Sequence, residues 1–123
     1  MQEQSFQKQP MQQQPGPLAG IRILDIGSML AAPWSTTLLA DQGAEVIKSE
    51  PPGIGDVPRY VGAIRNGFSG LHQAVNRGKR SLVLDMKTPV GLDVVHQLVA
   101  STDVLVHNFR PGVAEKLGVD YAT

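Results

Sequence analysis

Cysteine is missing altogether from this 123-residue sequence. That excludes a disulfide framework, a thiolate nucleophile and any cysteine-based zinc site, and it fits a reducing compartment. Net charge is missing too. With 11 basic residues against 11 acidic ones, the chain has no overall field to gather nucleic acid or an anionic membrane. Long apolar runs are also lacking. The longest uncharged run, Ile26 to Ala40, falls short of the roughly 20 residues of a membrane span and carries Ser28, Pro33, Ser35, Thr36 and Thr37. The N-terminus has neither the basic start nor the apolar centre of a secretory signal. A cytoplasmic protein with no nucleic-acid and no membrane partner is expected. G-x-G-x-x-G and the P-loop Gly-Lys-Ser/Thr are absent as well, which argues against an NAD or ATP site.

The length suits one modest domain. Residues 1–17 are dominated by glutamine, with Pro10, Pro15, Gly16 and Pro17, and read as a disordered leader. Ile21 to Ile26 is a β-rich run ending at Gly27-Ser28, a buried first strand. Pro33 fits a first helical position, and Trp34, Leu38 and Leu39 give that helix an apolar side, with Gly43 as its cap. Glu45 to Lys48 is a second strand, completing a βαβ unit. Pro51 to Asp56 breaks regular structure and opens a long, glycine-rich surface excursion reaching Asn76, of the kind that often carries function. Ser81 to Asp85 is a third strand. Thr88-Pro89 starts a second helix that buries Leu92, Val95 and Val99, with Val94 and Leu98 beside them. Val104 to His107 is a fourth strand, and a short helix through Glu115, Lys116 and Leu117 closes at Gly118. The alternation predicts an α/β fold: a Rossmann-like open, mostly parallel sheet spanning residues 18–123. No closing element follows Tyr121-Ala122-Thr123, so a domain cut short is expected.

Two segments carry chemistry. In Asn76 to Lys87, the cations Arg77, Lys79 and Arg80 surround Gly78 just before a strand. Such a loop suits a polyanion; it also reads as a solvated basic turn. Asn108-Phe109-Arg110-Pro111-Gly112 lies at a strand's carboxyl end, where ligands of open sheets collect. There phenylalanine offers a face to a purine, asparagine an amide and arginine a phosphate fork. The same residues also read as a plain turn, with Phe109 plugging the core. The small turn Gly27 to Pro33 admits either a ligand against its backbone or close packing of strand on helix. Asp25 reads as a structural acceptor. His72, His96 and His107 show no metal spacing, and no metal is expected.

Taken together, these segments resemble the N-terminal part of the family III coenzyme A transferases, a group that includes formyl-CoA transferase, carnitine CoA-transferase and the α-methylacyl-CoA racemases. The resemblance rests on Leu18 to Asp25, Leu39 to Pro52, Gly55-Asp56 with Arg59, Asn76 to Lys87 and Val104 to Gly112. It covers everything but the leader. By position it implies CoA contacts from Met29, Leu30 and Ala31, from Leu84 and Lys87, from Asn108, Phe109 and Arg110, and from Lys116. The sequence departs from the family at His107, Ala32 and Ser49. The resemblance further implies an interlocked homodimer, with acyl-CoA and a carboxylic acid as substrates. An aspartate forms an acyl anhydride and then a CoA thioester in such enzymes. None of Asp25, Asp41, Asp56, Asp85, Asp93, Asp103 or Asp120 matches it, so this chain alone is expected to be inactive. A non-catalytic CoA-binding or interaction remnant and a fragment of an α-methylacyl-CoA racemase are the alternatives.

Overall fold

The computed structural model describes residues 15–122. Ile23, Leu24, Asp25 and Ile26 are all buried and alternate between the two faces of a sheet, as the pleat requires. Leu24 and Ile26 pack with Val95, Ala114 and Val119 on one face. Ile23 packs with Ala44 and Val46 on the other.

The elements in order are β1 (Arg22–Asp25), α1 (Ala31–Asp41), β2 (Glu45–Glu50), a single 3-10 turn (Val57–Tyr60), β3 (Ile64–Arg65), β4 (Phe68–Ser69), α2 (Gly70–Asn76), β5 (Arg80–Val83), α3 (Pro89–Ala100), β6 (Val104–Val106) and α4 (Val113–Leu117). Four strands form an all-parallel sheet in the order β5-β2-β1-β6, and β3 and β4 make a separate antiparallel pair. Helices α3 and α4 pack on the Leu24 face and α1 on the Ile23 face. This is the expected open, parallel α/β architecture. From β1 the chain steps outward through β2 to β5, then crosses back to place β6 on the opposite side of β1. Strands β1 and β6 therefore flank a topological switch point.

Three expectations need correction. Helix α1 begins at Ala31, so Pro33 is not its first residue, although it still lies in the first turn where its missing N–H costs nothing. The helix buries Ala32, Pro33, Thr36 and Thr37, whereas Trp34 and Leu38 are each 45% exposed. The small face wins because Asp25 needs a partner there: Thr36 Oγ1 donates to Asp25 Oδ2 at 2.7 Å. Secondly, the excursion from Pro51 to Asn76 is structured. Ser69 caps α2 by accepting from the His72 N–H at 3.3 Å, and α2 buries His72 and Val75. These elements are too short for periodicity to reveal. Finally, residues 1–14 of the expected leader lie outside the described residues, but Gly16 belongs to the fold. Its carbonyl accepts from Ala19, and Leu18 donates to Gln42.

Helix α3 starts as expected, with the Thr88 hydroxyl accepting from Gly91 N at 3.1 Å. Gly91 is packed so tightly that a Cβ would sit 1.9 Å from the Asp85 carbonyl oxygen. Among the described residues, no helix is long and apolar enough to cross a membrane.

Candidate functional site

Parallel strands end on one edge, so the segments following β1, β2, β5 and β6 gather there. The turn after β1 is held from both sides. Asn108, beyond β6, accepts from the Ser28 N–H through Oδ1 at 2.9 Å and donates from Nδ2 to the Ser28 carbonyl at 2.9 Å. Asp56, beyond β2, accepts through Oδ1 from Ser28 Oγ at 2.7 Å and from the Met29 N–H at 3.0 Å. Met29 itself has φ 69°, the left-handed region that a side chain enters only at a cost.

Beneath this turn lies a chain of buried charges. Lys48 stands opposite Asp25 in the β1–β2 register, its Nζ 3.5 Å from Asp25 Oδ1 and 3.4 Å from Asp56 Oδ2, and it donates to the Gly27 carbonyl. Lys79 reaches the other side of Asp25. Its Nζ donates to Asp25 Oδ2 at 2.9 Å, to the Pro33 and Val75 carbonyls at 2.7 and 2.9 Å, and to Asn76 Oδ1 at 3.1 Å. Burial pushes the Lys79 ammonium down, and Asp25 opposes that shift. Further along, Arg59 clamps Glu50 with Nε and Nη2 at 2.7 and 2.8 Å, and Glu50 Oε2 accepts from the Asp56 N–H at 2.9 Å. Burial pushes the Glu50 carboxyl up, but Arg59 and the Asp56 N–H outweigh it and hold the group at about 2. His72, 3.7 Å from Glu50, is pushed down by burial and by Arg59.

The basic turn around Gly78 is ion-paired within the chain. Arg77 pairs with Asp41 at 2.5 Å, Lys79 with Asp25 at 2.9 Å, and Arg80 with Glu45 at 2.7 Å. Each cation is engaged by a carboxylate of this same chain. Lys87, Arg110 and Lys116, by contrast, are exposed and make no ion pair among the described residues.

Met29, Leu30 and Ala31 are exposed at the turn and the start of α1. Leu30 and Ala31 join Trp34, Ser35 and Leu38 around an open apolar cavity of about 490 Å³. The residue before this group, Ser28, is the one that Asn108 holds. Phe109 serves the core after all, packing beside Leu84, Leu105 and Leu117, yet it also stacks on His107 with centroids 5.0 Å apart and planes at 20°. Leu84 is likewise half-buried in that core. Lys87 follows β5 at the far edge, three strand spacings or about 14 Å from the end of β6. Sequence reasoning missed Lys48, Asp56 and Lys79 as buried partners. One signal was available for Lys48, which falls in the same inward phase of β2 as Val46.

The described geometry agrees with known proteins. Residues 18–123 match the family described as CoA-transferase family III. The chain belongs to that family. It is 43% identical over 112 residues to a succinate–glutarate CoA-transferase of Agrobacterium fabrum, a match covering 85% of this chain and 28% of that protein. A formyl-CoA:oxalate CoA-transferase of Bradyrhizobium diazoefficiens is 45% identical over 102 residues, covering 82% of this chain and 24% of the relative. Among solved structures, a CAIB/BAIF family protein from Brucella suis superposes with a TM-score of 0.81 at 39% identity, over 89% of this chain and 30% of that one. This family III chain thus spans less than a third of the length of these relatives.

Proposed function

We propose that this chain forms the CoA-binding part of a CoA-transferase that moves CoA between an acyl-CoA and a small carboxylic acid. One observation carries the reading. At the switch point Asn108 locks Ser28, the residue just before the exposed Met29, Leu30 and Ala31, while Lys87, Arg110 and Lys116 stay exposed and unpaired among the described residues. The turn would take the pantetheine arm, the three cations the phosphates, and the stacked His107–Phe109 pair the adenine. Asn108 spends one donor and one acceptor on Ser28 and keeps one N–H and one lone pair for a ligand. Leu84 supports this surface from the core. The relatives above are named as CoA-transferases, which favours transfer over racemisation.

No catalytic residue is assigned within this chain. Asp25 and Asp56 are buried and ion-paired, Asp41 is paired with Arg77, and Asp85 and Asp103 accept from backbone N–H groups. None is poised as a carboxylate nucleophile. No metal enters the proposal. A cytoplasmic setting, checked by cell fractionation, and an interlocked homodimer, checked by sedimentation equilibrium, belong to it.

Calorimetric titration of CoA into the purified chain tests the site. Arg110→Ala and Lys87→Ala should each weaken binding about tenfold, the loss of one charge-assisted contact worth about 1.4 kcal/mol. Unchanged affinity in both variants, or no binding by a folded chain, would sink the reading.

A further inference from the structure

We propose that Asp56 is a positioning residue, which sets the shape of the CoA site without touching the ligand. The inference rests on the CoA-binding reading above. Asp56 lies in an irregular segment, yet its side chain is only 2% exposed. Its two carboxylate oxygens do different things. Oδ1 takes the Ser28 hydroxyl and the Met29 N–H at 2.7 and 3.0 Å. Among the described residues Oδ2 has no hydrogen-bond donor; it faces Lys48 Nζ at 3.4 Å, the ammonium that also holds the Gly27 carbonyl. Through these contacts one residue fixes Gly27, Ser28 and Met29 in succession.

Asp56 is itself held in place. Its N–H donates to Glu50 Oε2 at 2.9 Å, and Arg59 clamps the same carboxylate at 2.7 and 2.8 Å. Such a support is needed because Met29 sits at φ 69°. A side chain held there persists only where its surroundings over-determine it, and such residues gather at functional sites. Asn108 holds Ser28 from the other side, but among the described residues only Asp56 holds the Met29 N–H. Without that acceptor the turn relaxes and the exposed surface of Met29, Leu30 and Ala31 moves.

The test pairs CoA titration with amide hydrogen exchange at Met29, using Asp56→Ala, Asp56→Asn and Ser28→Ala. Asp56→Ala should raise the Kd for CoA at least tenfold and speed Met29 exchange at least tenfold in protein that remains folded. Asp56→Asn keeps an oxygen for both donors, so its Kd should stay within threefold of wild type even where its melting temperature falls. Ser28→Ala removes one of the two bonds and should raise the Kd about threefold. A folded Asp56→Ala variant with a Kd within twofold of wild type overturns the proposal, as does an Asp56→Asn variant as weak as Asp56→Ala. Should Asp56→Ala not fold, Ser28→Ala decides, and an unchanged Kd there overturns the role. Should the wild-type chain bind no CoA, the functional reading fails by itself and exchange decides: faster Met29 exchange in Ser28→Ala upholds the positioning role, and an unchanged rate overturns it.

Discussion

Lys79→Met separates two roles for the same lysine. A cation waiting for a polyanion would be dispensable for folding, and its removal would cost only affinity. The structure instead places its ammonium against Asp25 Oδ2, two carbonyls and Asn76 Oδ1, all within 3.1 Å, with the side chain 1% exposed. Methionine keeps the apolar stem and removes the charge. Asp25, itself fully buried, then keeps only Lys48 at 3.5 Å as a cationic neighbour. Removing one partner of a buried pair costs about 3–5 kcal/mol, a large share of the roughly 5–15 kcal/mol that holds a domain together. At about 1.5 kcal/mol per M of urea, the midpoint should fall by about 2 M or more. Trp34 is the sole tryptophan, so its fluorescence, read alongside circular dichroism, follows the transition. Lys87→Met, at an exposed position with no ion pair among the described residues, is the control and should move the midpoint little. A Lys79→Met midpoint within 0.5 M of wild type, on the order of 0.7 kcal/mol by the same slope, would refute the buried-cation account.

Two further outcomes test other parts of the structure. Glu50 is held at about 2, below its ordinary value of 4.5. Its contribution is therefore complete above pH 4.5 and is lost as the pH falls from there toward 2. Arg59 is 41% exposed, so solvent screening limits that contribution to about 1–2 kcal/mol. Arg59→Ala should flatten the acid limb of a urea-midpoint-versus-pH series, and parallel limbs in the two proteins would disprove the coupling. Thr88→Ala removes the cap bond to Gly91 N and should cost about 1 kcal/mol; a loss under about 0.3 kcal/mol in thermal unfolding would count against that cap.

The parts of the fold with strong local patterns were legible. β1, β2 and β6 each centre on adjacent aliphatic residues, Ile23-Leu24, Val46-Ile47 and Val104-Leu105-Val106, and α3 announces itself through Thr88-Pro89 and its spaced Leu92, Val95 and Val99. The orientation of α1 was not legible, because its periodicity fits either face. Trp34 and Leu38 favour one by hydropathy, while the other wins because Thr36 satisfies Asp25 and Ala32 packs closely on Gly27. That choice depends on a strand residue 11 positions away. For the charges the separation is greater. The sequence displays Lys79 among Arg77 and Arg80 as one basic cluster, yet its partner lies 54 residues upstream. Asp56 was noticed only as part of a family pattern, since nothing local distinguishes a solvated loop aspartate from one that anchors a strained turn. That Lys87, Arg110 and Lys116 make no ion pair among the described residues was equally invisible before the other cations had been assigned.

The 54-residue separation of Asp25 and Lys79 also has a meaning in time. At a synthesis rate of about 5–20 residues per second, Lys79 is added about 3–11 s after Asp25. Throughout that interval the Gly27 N–H, Thr36 and then Lys48 are the partners within reach of the aspartate among the described residues. The first βαβ unit therefore emerges with its central carboxylate short of one of its two ammonium neighbours. β6, the other neighbour of β1, arrives later still. Residues 22–50 have the look of an autonomous βαβ module, yet Asp25 gains its second ammonium only when the segment carrying Lys79 leaves the ribosome.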